Sequence, residues 1–181
     1  MNARLLAIAT VLMVGVACTT KSQDSTPMGG KGEKAAVALP ESLFLSAPPT
    51  DVTSIADAKS HAKVGDTVVF KARIGGREAP FVENRAIMLV VDPEIPSCAE
   101  LHGDSCPTPW DYCCEPEDNL KANTATVRFV DADGKPRKVS IENQHGLEPL
   151  VSITVIGKVA EKDDAGSLVV DATGVYMEKK G

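Results

Sequence analysis

The chain has few aromatic residues and no excess of positive charge. Among its 181 residues are one Trp, two Tyr and four Phe, and the formal net charge is −6. Proteins that bind nucleic acid normally present a basic surface, and those that bind single strands add aromatic rings on which bases stack. We therefore expect no nucleic-acid partner.

Short motifs of the common enzyme classes are also missing. The sequence contains no Gly-x-Ser-x-Gly elbow, no His-Glu-x-x-His pair and no phosphate-binding glycine loop. The three histidines, His61, His102 and His145, lie in separate segments. Asp131 and Asp133 fit a solvated turn better than a calcium loop, which needs twelve residues of ligand spacing. We expect a protein that is not an enzyme and uses no cofactor.

A single long apolar run lies at the N-terminus. Residues 5–14 follow Arg4, and the small residues 15–17 separate them from Cys18. The run is too short to span a bilayer comfortably, and its position is typical of an export signal.

Around Cys18 the sequence resembles the lipobox of bacterial lipoproteins. Small residues precede the cysteine, although Gly15 stands where that family usually has Leu. The resemblance implies that Cys18 receives a diacylglyceryl group and becomes the mature N-terminus, so that the partner of this end is a membrane. Thr19, rather than Asp, follows the cysteine, which by the same resemblance favours the outer membrane. The expected location is therefore the bacterial cell envelope; an ordinary cleaved signal is the alternative.

We expect three parts: a signal peptide at 1–17, a tether and lead-in at 18–50, and one domain at 51–181. Residues 19–34 are polar and rich in Ser, Thr and Gly, a composition typical of a flexible tether. The apolar residues 43–45 suggest a lead-in that docks one short segment. The remaining length suits one domain better than two.

Within the domain, residues 51–60 have apolar positions at helical spacing and predict a short helix. Alternating or β-branched segments predict strands at 67–74, 86–92, 124–130, 137–141, 151–159 and 168–176. Residues 142–149 predict a short helix or loop.

The order of these segments resembles an OB-fold barrel of the anticodon-binding type. Residues 64–74 look like its first strand, and residues 155–159 with 168–172 look like its closing hairpin. The resemblance covers roughly residues 52–178. It implies an all-β fold: a small OB-like barrel of five to six strands with one or two short helices. Another small barrel or sandwich is the alternative, and the fold alone does not specify a function.

Four of the five cysteines lie in the segment CAELHGDSCPTPWDYCC, residues 98–114, within an insertion at 93–121. In an oxidising compartment an even number of cysteines predicts disulfides. Adjacent Cys113 and Cys114 are strained as partners, so each is expected to pair with one of Cys98 and Cys106, in either of two connectivities. Two such bonds would brace the insertion.

A copper or zinc site is the alternative for this segment. Its candidate ligands are Cys98, His102, Cys106, Cys113 and Cys114, although the Cys-x-x-Cys knuckle of zinc modules is absent. The protein would then be a metal-binding or redox protein.

Three residues of the same segment, Trp110, Asp111 and Tyr112, are a candidate binding surface. A rigid loop can present rings outward at little entropic cost. The alternative is that Trp110 caps one open end of the barrel. The sequence thus predicts a membrane-tethered, non-enzymatic binding module with an unidentified protein or small-molecule partner.

Overall fold

The computed structural model describes residues 38–101 and 105–179. The expected signal peptide, Cys18, the tether up to residue 37, and His102 lie outside the described residues. No helix in the described part has the length and hydropathy needed to cross a bilayer.

Five strands close into a barrel in the order β1-β2-β3-β5-β4. The strands are β1 Thr67–Ile74, β2 Ile87–Val91, β3 Thr124–Arg128, β4 Ser152–Lys162 and β5 Leu168–Met177. Neighbours are antiparallel, except that β3 and β5 run parallel. The described residues also form two α-helices, α1 Ile55–His61 and α2 Glu117–Ala122. Short 3₁₀ turns lie at Glu41–Leu43, Cys98–Glu100 and Gln144–Gly146. The predicted small all-β barrel of OB type is confirmed.

Alternation along β1 places the core. Val68, Phe70, Ala72 and Ile74 point inward and are buried, because successive side chains of a strand face opposite sides. Phe70 lies opposite Val155 of β4, and both are fully buried. The barrel interior is therefore filled by apolar side chains.

The predicted strand at 137–141 is wrong. Beyond the turn at Gly134 the chain forms an isolated bridge between Val130 and Pro136, and the Arg137 amide donates to the Phe129 carbonyl at 2.9 Å, but residues 138–141 do not continue the ladder. Val139 and Ile141 are nevertheless buried in the core. Their alternation indicated burial correctly, but not a strand.

Helix α1 is fixed at its N-terminus by two side chains. The Ser54 hydroxyl accepts a hydrogen bond from the Asp57 amide at 2.9 Å, and the buried Asp92 carboxylate accepts one from the Ile55 amide at 2.9 Å. Both bonds satisfy amides that a helix leaves without partners at its start. Since Asp92 directly follows β2, α1 is held where the insertion begins.

The segment before α1 packs on the last strand. Leu39 is buried, the Leu45 amide donates to the Val175 carbonyl at 2.8 Å, and Phe44 stacks on His145 with ring centroids 4.0 Å apart. The His145 ring also lies 3.1 Å from the Leu39 carbonyl oxygen. Residues 39–45 are therefore part of the folded unit.

Candidate metal centre

The insertion leaves the barrel after β2 and returns to it before β3. Its two ends meet, because the Asp92 amide donates to the Asn123 carbonyl at 2.8 Å. Helix α2 forms the return path. The cysteine-rich part is therefore a loop that leaves the barrel and returns to it at adjacent positions.

The middle of the insertion docks on the turn that follows β1. The Gly76 amide donates to the Trp110 carbonyl at 2.8 Å, and the Trp110 indole N–H donates to the Glu78 carbonyl at 2.9 Å. A Cβ atom on Gly75 would lie 2.6 Å from the Trp110 carbonyl oxygen and 2.9 Å from the Tyr112 ring. Only glycine permits this approach without displacement.

Cys98 lies in a turn that is tied to β1. The Glu100 carboxylate accepts hydrogen bonds from the Ser97 amide and hydroxyl at 2.8 and 2.9 Å, and it forms an ion pair with Arg73. Burial tends to raise the pKa of Glu100, but these hydrogen bonds outweigh it and hold that pKa below its ordinary value. The turn is therefore held by an ionised carboxylate, and Cys98 is 1% exposed.

Asp111 is oriented by its own loop. One carboxylate oxygen accepts the Cys113 amide at 2.9 Å, and the other accepts the Thr108 hydroxyl at 2.8 Å. Burial tends to raise the pKa of Asp111, yet hydrogen bonds from Cys113, Thr108 and Cys98 lower it overall. The loop thus presents a carboxylate anion toward the cysteines.

Three sulfur atoms and this carboxylate converge. The ligand atoms of Cys98, Cys106, Asp111 and Cys113 all lie within 4.8 Å of one another. Cys113 Sγ is 3.8 Å from Cys98 Sγ and 3.8 Å from Cys106 Sγ. Asp111 Oδ1 is 3.9 Å from Cys98 Sγ and 4.0 Å from Cys106 Sγ. We call these four residues the thiol cluster.

The sulfur spacing is too long for a disulfide and is compatible with metal ligands. A disulfide bond is about 2.0 Å long, whereas two thiolates bound tetrahedrally to Zn²⁺ at about 2.3 Å lie about 3.8 Å apart. Both measured Sγ–Sγ distances from Cys113 are 3.8 Å. The predicted disulfides are therefore not formed at Cys98, Cys106 or Cys113 in this structure, and the distances favour neither predicted connectivity.

Electrostatics in the cluster oppose a thiolate without a counter-charge. The pKa of Cys113 is raised well above the ordinary value, first by its hydrogen bond with Asp111 and then by the neighbouring thiols of Cys98 and Cys106. Anionic groups that share a small volume disfavour further ionisation, and a bound cation reverses that preference.

Three other predicted site residues, Cys114, Trp110 and Tyr112, lie outside the thiol cluster. Cys114 is exposed and lies outside the thiol cluster, and Trp110 is half-buried against the barrel. Tyr112 is 1% exposed, so the expectation that its ring faces outward is wrong. Its left-handed backbone, with φ of 58°, accompanies this inward placement.

Sequence reasoning placed Asp111 in a binding surface and missed it as a candidate metal ligand. The available signal was the position of Asp111 two residues before Cys113, since an Asp carboxylate often accepts a hydrogen bond from the backbone amide two residues on. His102 lies outside the described residues, so its predicted ligand role is not tested.

A second concave region lies on the flank of the barrel. It has a volume of about 810 Å³ and is lined by Pro49, Lys71 and Glu178 among others. Its buried polar groups already have partners: the Thr154 hydroxyl donates to Glu178 at 2.7 Å, and Asp92 binds the start of α1. The thiol cluster remains the stronger candidate site.

Comparisons with known proteins identify no family. No protein-family model matches the chain, and no curated protein matches it. A crystal structure of a protein assigned as an aspartyl-tRNA synthetase from Leishmania major Friedlin is similar, with 9% identity and a TM-score of 0.43. The match covers 78% of this chain and 25% of that one, so the chain spans about a quarter of the length of this neighbour. A likeness this distant carries no argument about function.

Proposed function

We propose that the protein is a metal-binding OB-like module that holds one Zn²⁺ ion in the thiol cluster. The observation that carries the proposal is the convergence of three sulfurs and one carboxylate within 4.8 Å. Four protein ligands are typical of a structural zinc site. In this role the metal would join the Cys98 turn, Cys106 and the Asp111–Cys113 loop of the insertion to one another.

The symmetric position of Cys113 favours a metal over a pair of disulfides. Its sulfur lies 3.8 Å from both Cys98 and Cys106. A disulfide at Cys113 would use one of these two neighbours, and the other would have to pair with Cys114 outside the thiol cluster, whereas a tetrahedral ion uses all three clustered sulfurs at once.

Ligand chemistry selects the ion. Thiolates favour soft or borderline cations, and a carboxylate suits a divalent ion. Zn²⁺ accepts both ligand types in one tetrahedral site. The harder cations Ca²⁺ and Mg²⁺ prefer an all-oxygen shell, which the cluster does not offer.

Metal analysis tests the proposal. The protein purified under reducing conditions is expected to carry one zinc ion per chain by mass spectrometry of the metal content, and Co²⁺ substitution should give the charge-transfer absorption of thiolate ligands. Cys98→Ser, Cys106→Ser and Cys113→Ser should each lose most of the metal. Cys114→Ser is the matched control, since Cys114 lies outside the thiol cluster, and should keep it. A reduced, folded protein without zinc or Co²⁺ binding would refute the assignment.

We also propose that this module is anchored in the cell envelope through a lipid on Cys18, and that it is not an enzyme. The lipobox resemblance supports the anchor. Replacing Cys18 with Ser should move the protein from the membrane fraction to the soluble fraction. Metabolic labelling that finds no lipid on the unaltered protein would contradict the anchor without affecting the zinc proposal.

A further inference from the structure

We propose that the zinc site is released by oxidation, through conversion of Cys106 and Cys113 to a disulfide by a low-molecular-weight disulfide such as oxidised glutathione. The inference rests on the proposed zinc function and adds regulation to it. The reduced thiol cluster would bind zinc, and the oxidised cluster would contain a disulfide.

Exposure decides where an oxidant can react. Cys113 is exposed, Cys106 is half-buried and Cys98 is buried. Thiol–disulfide exchange needs direct access of one sulfur to the other. Cys113 is therefore the sulfur within the cluster that an external disulfide can reach first.

Local structure decides which sulfur completes the reaction. Cys98 and Cys106 lie at the same distance, 3.8 Å, from Cys113 Sγ. Cys98, however, belongs to a 3₁₀ turn that Glu100 fixes through Ser97 and Arg73. Residues 105 and 106 have no regular secondary structure. A shift of about 2 Å to bonding distance therefore displaces less structure when Cys106 makes it.

The reaction proceeds in two balanced steps. The Cys113 thiolate attacks one sulfur of the external disulfide, forms a mixed disulfide and expels one thiolate. The Cys106 thiolate then attacks Cys113 Sγ, forms the internal disulfide and expels the second thiolate. Two electrons pass from the two cysteines to the oxidant, and the expelled thiolates take up protons from water according to their pKa.

Oxidation removes two of the four ligands. The ion would retain Cys98 and Asp111, a set too small for a stable tetrahedral protein site. The contact of Trp110 with Gly76 uses backbone atoms and does not depend on the sulfurs. The insertion should therefore stay docked while the metal leaves.

Oxidised glutathione added to the zinc-loaded full chain tests the inference. Zinc release is followed with a chromogenic chelator, thiols are counted under denaturing conditions, and the linked peptides are mapped by mass spectrometry. One zinc ion released per chain, two thiols lost and a Cys106–Cys113 link are expected. Cys114→Ser, the matched control, should behave in the same way.

Several outcomes would overturn the inference. Zinc that stays bound while the oxidant is present would do so, as would a Cys98–Cys113 link. In Cys106→Ser loaded with excess zinc, the expected product is a glutathione adduct on Cys113, and an internal disulfide there would contradict the assigned pair. A chain that carries no zinc before oxidant is added would instead refute the proposed function and, with it, this inference.

Discussion

The barrel and the insertion differ in what stabilises them. In the barrel, side chains from all five strands form one apolar core, among them Phe70, Val127 and Val155. Within the described residues of 93–123, only Ser97, Cys98 and Tyr112 are buried, and none of these belongs to that core. The insertion therefore depends on hydrogen bonds, one ion pair and the thiol cluster. Apolar burial scales with area, whereas each of these polar contacts can be removed by one substitution.

The largest effect should come from a charge inside the barrel. Val155 is fully buried and paired with Phe70 on β1 and Val175 on β5. Val155→Asp would bury an unpaired carboxylate and should cost about 3–5 kcal/mol of unfolding free energy, which exceeds the margin of many domains. Thermal melting followed by circular dichroism measures it. Val64→Asp, at a position 61% exposed, is the control and should leave the melting temperature nearly unchanged.

A backbone clash at Gly75 should disturb the insertion without unfolding the barrel. Gly75→Ala places a methyl group 2.6 Å from the Trp110 carbonyl oxygen, so the docked insertion must shift, at a cost of about 2 kcal/mol. We expect zinc affinity to fall about tenfold or more in a chelator competition, while the barrel still melts cooperatively.

Substitution of Gly157, the matched glycine in the barrel, should instead destabilise the barrel. Gly157→Ala places a methyl group 2.4 Å from the Val170 side chain, between two adjacent strands, and should lower the melting temperature itself. If Gly75→Ala and Gly157→Ala lower the melting temperature equally, the insertion and the barrel are one cooperative unit and the contrast between them is wrong.

A smaller effect is expected from the tryptophan contact. Trp110→Phe keeps the ring but removes the N–H that donates to Glu78, and such a bond contributes about 1 kcal/mol. Hydrogen exchange at the Gly76 amide, which donates to the Trp110 carbonyl, should become about fivefold faster. Unchanged exchange would mean that the indole bond does not hold the insertion in place.

The smallest predicted effect is a pH dependence. The pKa of Lys59 is lowered to about 8, first by burial and then by the charge of Lys121. Between about pH 8 and the ordinary lysine value the unfolded chain binds a proton that the folded chain does not, so stability rises with pH across this window. Because Lys59 is partly exposed to solvent, we expect roughly 1 kcal/mol after screening.

Urea unfolding at pH 7.5 and pH 10 would measure that contribution. Lys59→Met should remove part of the rise in stability, whereas Lys63→Met, at an exposed position, should leave it unchanged. If the free energy of unfolding rises equally from pH 7.5 to pH 10 in the native protein and in Lys59→Met, burial of Lys59 has no energetic consequence.

The barrel followed from the sequence because alternation is a local signal. The β1 pattern of buried and exposed residues was readable from residues 67–74 alone. Backbone pairing ends just after the bridge between Val130 and Pro136, so residues 137–141 form no strand, although Val139 and Ile141 still fill the core. Period-2 alternation reports which side chains are buried; hydrogen-bond pairing depends on the partner strand as well.

The site was harder to predict because its chemistry depends on distances. The spacing of Cys98, Cys106 and Cys113 fits either disulfides or metal ligands, and only the separations of their sulfur atoms distinguish the two. Asp111 joined the cluster through a loop that its own hydrogen bonds create. The Tyr112 side chain is buried at a point where the backbone is left-handed. Residues other than glycine rarely adopt this conformation, so the sequence did not predict it.

The parallel pairing of β3 with β5 has a consequence for folding. Thr126 pairs with Val169, and β1 finds its second neighbour only in β4. A chain that stops before residue 152 would hold β1, β2 and β3 as an open sheet with two unpaired edges. Such edges recruit strands from other chains. Products truncated between the end of β3 and residue 152 should therefore aggregate, and the barrel can close only after β5, which ends at Met177, is present.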